Sequence, residues 1–74
     1  MRVTVKLFAN FRHGRFTVRV YEFDGRITAL QILQELAILL AEVGIFLCNG
    51  RHGDVDTELV EGDSCSIFPK VGGG

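Results

Sequence analysis

The sequence predicts an α+β domain in which one main helix packs on one face of a mixed sheet of four to five strands. Three observations carry this. Two segments near the start, Arg2 to Phe8 and Phe16 to Phe23, alternate apolar and polar residues. One stretch after Thr28 has helical spacing, and two apolar runs, Val43 to Cys48 and Ser64 to Phe68, lie beside Asn-Gly and Gly-Asp turn signals.

Along the first segment Val3, Val5 and Leu7 share one face and Arg2, Thr4 and Lys6 the other, the period of a half-buried strand. In the second, Phe16, Val18 and Val20 oppose Thr17, Arg19 and Tyr21, and Ala9 to Arg15 between the two strands reads as a longer hairpin loop. Thr28-Ala29-Leu30-Gln31 has the spacing of a capping box, with Ile27 and Ile32 at the staple positions around it. Leu30, Leu33, Ala37 and Leu40 continue the stripe, widened by Ile32 and Leu36. Periodicity alone could extend this helix to Val43, but the preferred reading stops it near Ile38 with a turn at Leu39 to Glu42. Val43 to Cys48 is then a buried strand closed by Asn49-Gly50. A loop with room for a short edge strand follows from Arg51 to Glu58. Glu61-Gly62-Asp63 turns the chain into the last strand, which Pro69 stops. A right-handed crossover places that strand beside the first. The arrangement is a β-grasp, the ubiquitin-like architecture, expected over residues 1–69 with a flexible glycine-rich arm at 70–74.

A chain of 74 residues is one small domain, and 47% apolar residues argue for a folded one. The net charge of −1 gives no basis for nucleic-acid or anionic-membrane binding, which call for a basic surface. With no long apolar span and no signal-like start, a cytoplasmic location is expected. Cys48 and Cys65 are too few for a secreted disulfide framework and read as small hydrophobes. Cys48 and His52 lack the paired spacing of a zinc site, so no metal is expected. Asp54, Asp56 and Glu58 read as a solvated face, as do Arg12, His13 and Arg15 on the hairpin loop.

The remaining feature is the tail, Lys70-Val71-Gly72-Gly73-Gly74. Five extended residues reach about 16 to 18 Å, and glycines without Cβ atoms can thread a slot that excludes side chains. The only functional group at its tip is the α-carboxylate of Gly74, ionised at neutral pH. Attack on the α-phosphate of ATP would turn this poor acyl donor into an acyl-adenylate, from which a sulfide or persulfide could displace AMP to leave a thiocarboxylate. No phosphate loop is present, so no cofactor is expected on this chain and the ATP would be used by a partner. On the glycines alone a frayed end is the simpler reading. Their joint occurrence with Leu59 to Asp63, the strand Cys65 to Phe68, and Pro69 shifts the balance.

The segment LVEGDSCSIFPKVGGG, Leu59 to Gly74, resembles the carboxy-terminal signature of the sulfur-carrier family that contains the molybdopterin synthase small subunit and the thiazole sulfur carrier (MoaD/ThiS type). VKLFANFR at Val5 to Arg12 and LCNGR at Leu47 to Arg51 extend the resemblance more weakly. It implies a non-catalytic small subunit adenylated by an E1-like adenylyltransferase. Gly73 and Gly74 would be the essential pair, with the sulfur on Gly74. A molybdopterin synthase large subunit or another acceptor enzyme would receive it in molybdenum or tungsten cofactor biosynthesis. Lys70 stands where the molybdopterin carriers usually have a second proline. A thiazole carrier, a ubiquitin-like modifier of lysines, and a plain binding module remain alternatives. Strand parity places Phe8, Phe46 and Phe68 opposite Leu7, Leu47 and Ile67, on the sheet face away from the helix, with Tyr21 and Phe23 sharing their parity. That patch, with Pro69, Lys70, Val71 and Gly72, is the expected partner-binding surface.

Overall fold

The alternation at the start of the chain becomes a strand whose every second residue is inaccessible to water. The computed structural model describes residues 1–70. In chain order its elements are β1 (Arg2–Leu7), β2 (Val18–Glu22), β3 (Ile27–Thr28), α1 (Ala29–Glu35), β4 (Val43–Cys48), β5 (Arg51–His52), β6 (Glu58–Leu59) and β7 (Ser64–Pro69), with single 3-10 turns at Ala9–Arg12 and Leu40–Glu42. The main sheet has five strands in the order β2-β1-β7-β4-β5, and β3 and β6 form a separate two-stranded sheet. β1 and β7 run parallel, the other main-sheet pairs antiparallel. The crossover thus places the last strand beside the first, as expected for a β-grasp.

Val3, Val5 and Leu7 of β1 and Cys65 and Ile67 of β7 are fully buried under Ala29, Ile32, Leu33 and Leu36. Each such Val, Leu or Ile contributes about 1.5 to 3 kcal/mol by leaving water. The capping box forms as predicted: the Gln31 N–H donates to the Thr28 hydroxyl at 3.4 Å, and the Thr28 N–H donates to the Gln31 side chain at 2.8 Å. Both staple residues, Ile27 and Ile32, enter the core.

The helix ends early, and its terminus shows why. Ala37 lies in the left-handed region at φ 56°; its N–H donates to Gln34 O and the Ile38 N–H to Leu33 O, each at 3.1 Å or less. This is a Schellman closure, with buried Leu33 and Ile38 as its apolar flank. Arg15 Nε donates to Leu36 O at 3.0 Å, and its Nη2 to Ala37 O at 3.4 Å, so the hairpin loop caps the helix. The chain leaves the helical path at Ala37, so Leu40, expected on the buried stripe, is 53% exposed. Arg15 is correspondingly a structural anchor and not part of a solvated cluster.

Two strands differ from expectation in the face they present. In β2, Tyr21 pairs with Val3 and Arg19 with Val5, so both point to the helix side, while Val18 and Val20 pair with Lys6 and Thr4 and point outward. Tyr21 and Phe23 stack at 5.8 Å and pack against the core rim with Phe16, so they do not share the face of Phe8. In β4, Phe46 pairs with Ile67 and is buried, whereas Leu47 pairs with Ser66 on the outer face. Phe46 is therefore core and leaves the predicted patch. An unbroken apolar run such as Val43 to Cys48 contains no polar residue to report its face, and the register with β7 decides it.

Candidate functional site

β7 ends at Pro69, whose ring supplies no N–H to continue a ladder. The pairing with β4 slips by one residue just before this point: Val43 pairs with Pro69 and Ile45 with Phe68, leaving Gly44 as a bulge. A Cβ on Gly44 would stand 2.7 Å from Pro69 O and 3.1 Å from Lys70 Cα, so only glycine lets the two backbones approach. On the far side the Lys70 N–H donates to Glu42 O at 3.0 Å. Glu42 is itself held in its 3-10 turn by Oε1, which accepts the Leu39 N–H at 3.0 Å. Lys70, expected to begin the arm, is thus tied to the domain through its backbone while its side chain is exposed. Val71, Gly72, Gly73 and Gly74 lie outside the described residues.

Next to this root the outer sheet face turns apolar. Phe8 and Phe68 stack at 4.1 Å with their planes 14° apart, Arg12 lies over the Phe8 ring at 5.4 Å, and Ile45 beside Phe68 is 43% exposed. Arg12 Nε also donates to Leu7 O at 2.8 Å, which fixes the guanidinium where it covers the ring. Farther from the root the same face carries Thr4, Lys6, Ser64 and Ser66, with Val18 and Val20 exposed on the edge strand β2. The outer face thus has its stacked aromatic pair where the chain leaves the sheet, an arrangement suited to a partner that must dock and receive the following residues together. Phe8 and Phe68 lie together on the outer face, where strand parity places them. Ile45, Leu47 and Arg12 were missed, and the lone glycine inside the apolar run of β4 was the available sign of the bulge.

At the other end of the β4–β7 ladder, Asp63 is buried and joins two turns. Its carboxylate accepts the Val60 N–H and the Asn49 amide, each at 2.8 Å, and the Cys48 thiol at 3.7 Å. Asn49, at φ 53°, returns its side-chain oxygen to the Ser64 N–H at 2.8 Å. Burial pushes the Asp63 pKa up, but the bonds from Val60, Asn49 and Cys48 outweigh it and leave the value below the ordinary carboxylate range. Desolvation raises the Cys48 thiol, helped by the neighbouring Asp63 charge, and desolvation together with Cys48 pushes Cys65 up to about 12. Neither is a thiolate at neutral pH. No group of three metal-ligating side chains occurs among the described residues. An apolar cleft between α1 and β4, lined by Ala29, Leu33, Val43 and Phe46, carries a single carboxylate, Asp54. No helix among the described residues is long and apolar enough to cross a membrane.

The two turns linked by Asp63, the Phe-Pro strand end and the following glycines are the features on which the sequence resemblance rested. The sequence model of the ThiS family matches residues 5–74, nearly the whole chain. The chain belongs to the ThiS family. Solved structures similar to this ThiS-family chain are ubiquitin-like. SAMP1 from Haloferax volcanii is 23% identical with a TM-score of 0.79, covering 100% of both chains. The Haloferax volcanii HVO 2177 protein is 29% identical with a TM-score of 0.79, covering 100% of this chain and 87% of that one. In the complex of subunits 1 and 2 of the molybdopterin-converting factor from Helicobacter pylori, the similar chain is 27% identical with a TM-score of 0.65 and full coverage of both. A search of curated proteins finds no match. Family and fold together make this a β-grasp, ubiquitin-like protein of the MoaD/ThiS sulfur-carrier type.

Proposed function

We propose that this ThiS-family protein is the small subunit of a molybdopterin synthase, carrying sulfur as a thiocarboxylate on Gly74. An E1-like adenylyltransferase joins the Gly74 carboxylate to the α-phosphate of ATP with loss of pyrophosphate. Sulfide then displaces AMP to leave the thiocarboxylate; a persulfide sulfur would give an acyl disulfide, whose S–S bond a thiol then cleaves, leaving the thiocarboxylate and a disulfide of that thiol with the sulfur donor. The carrier has no catalytic group in either step. What it contributes is a fixed origin for the arm, set by Gly44, Pro69 and the bond from Lys70 to Glu42, and an apolar docking face around Phe8 and Phe68. The observation that carries the reading is the stacked Phe8–Phe68 pair at the strand end that feeds the glycine tail. The likeness to the Helicobacter pylori complex favours a synthase large subunit as acceptor, and Phe68-Pro69 favours the molybdopterin over the thiazole branch. Gly72 and Gly73 would thread the adenylating slot, where side chains would not pass, with Val71 at its entrance.

Intact-mass measurement of the chain co-expressed with its activating enzyme tests this. Replacement of one oxygen by sulfur at Gly74, lost when Gly73 and Gly74 are deleted, is the expected result; an unmodified terminus refutes the proposal. Branched Gly-Gly remnants on lysines of other proteins would instead identify a modifier.

A further inference from the structure

The two cysteines, seventeen residues apart in the chain, are direct partners in the β4–β7 register. The adjacent pair tells which kind of partners they are. Asn49 donates its N–H to Ser64 O at 2.7 Å, so Asn49 and Ser64 form the hydrogen-bonded pair and Cys48 and Cys65 the non-bonded one. In such pairs the Cα atoms lie about 4.5 Å apart, inside the range a disulfide requires, and the Cβ atoms converge on one face. Both cysteines are free, on the helix side of the sheet; Cys65 is fully buried and Cys48 half-buried. A thiol reactant can therefore reach Cys48 but not Cys65.

We infer that Cys48 and Cys65 form a reversible cross-strand disulfide when the protein meets a low-molecular-weight disulfide such as oxidised glutathione. Cys48, as its minor thiolate form, attacks one glutathione sulfur; the glutathione disulfide bond breaks and one glutathione leaves as thiol. Cys65 then loses its proton and attacks the Cys48 sulfur. The Cys48–glutathione bond breaks and a second glutathione thiol leaves. The protein gives up two electrons and two protons in all, and the glutathione disulfide takes up both. The raised thiol pKa values keep the thiolate fraction small and make the first step slow at neutral pH. The bridge lies at the opposite end of the ladder from Val43 and Pro69, so it staples the sheet without touching the arm root.

The full native chain is incubated with oxidised glutathione and digested with trypsin without reduction. The expected product is residues 27–51 joined to residues 52–70, a mass lower by two hydrogens, and a melting temperature raised by about 10 to 20 °C. Cys65→Ser should stop at a glutathione adduct on Cys48, and Cys48→Ser should leave Cys65 a free thiol. A stable adduct on Cys48 in the unsubstituted chain, bridging only in denaturant, only intermolecular dimers, or a lowered melting temperature would each overturn the inference.

Discussion

The two ends of the β4–β7 ladder solve opposite problems with different chemistry. At the Cys48–Cys65 end the chain must turn back twice, and the closure is made by side chains: Asp63 and Asn49 supply three charge-assisted or amide hydrogen bonds to neighbouring turns. At the Val43–Pro69 end the chain must leave the sheet, and the closure is made by backbone alone: a bulge at Gly44, a proline, and one bond from Lys70 to Glu42. A polar hub is suited to a closed corner because every partner is local and permanent. An exit closed through backbone groups is suited to a terminus that must engage another protein, because the closure uses no side chain of Pro69 or Lys70 as a hydrogen-bonding partner.

Breaking the polar end should have the largest effect. Asp63→Ala removes the acceptor of the part-buried bonds from the Val60 N–H and the Asn49 amide, and should cost about 2 kcal/mol by urea denaturation. The same residue gives the pH dependence a sign. Its folded pKa lies below the unfolded value of about 3.9, so its contribution is fully present above that pH and is lost as pH falls through the folded value. Asp63→Asn should therefore be less stable than the parent chain at pH 7, the gap narrowing below about pH 4. A gap that stays constant down to pH 2 would show that the carboxylate charge is not what the turns use.

Gly44→Ala tests the other end. The new Cβ meets backbone at 2.7 Å, and neither Pro69 nor Lys70 can yield without unpairing the strand end, so a loss of about 1 to 3 kcal/mol is expected. Adenylation by the activating partner should fall further than that stability loss explains, measured as pyrophosphate release with the variant still fully folded. Phe68→Ala inverts the pattern. The ring is only half-buried, so a stability loss of about 1 kcal/mol should accompany a much larger loss of partner affinity, read by calorimetric titration.

The closed end was far more legible in the sequence than the exit. Asn49-Gly50 and Gly62-Asp63 announce turns because few residues tolerate the required backbone, and Thr28 with Gln31 announces a cap because the chemistry needs both at that spacing. Faces were harder. β1 shows its face because polar residues alternate with Val3, Val5 and Leu7, whereas β4 is apolar throughout and placed Phe46 inside only through its pairing with Ile67. β2 misled because it offers apolar residues on both sides, Val18 and Val20 outward, Tyr21 inward. The short elements left no trace: a single 3-10 turn that buries Phe11, and the two-residue strands β3 and β6, are too brief to have a period.

The smallest expected effect lies at a third place and asks whether the two ends are independent of the rest. Ala37 occupies the left-handed position of the helix closure, a conformation that costs a residue with a Cβ about 1 to 2 kcal/mol. Glycine removes that cost but gives the unfolded chain more freedom, worth about 0.5 to 1 kcal/mol in the opposite direction. Ala37→Gly should therefore stabilise the domain by about 0.5 to 1 kcal/mol, seen as a higher urea midpoint with an unchanged slope. Arg15, which holds the adjoining carbonyls through backbone acceptors, is present in either case. Combined with Gly44→Ala, the gain should add to the loss within about 0.5 kcal/mol, because the two residues share no partner. A larger deviation would mean that the strain at the exit is transmitted through the Leu40–Glu42 turn to the helix end, and that the exit is held by the helix as well as by the sheet.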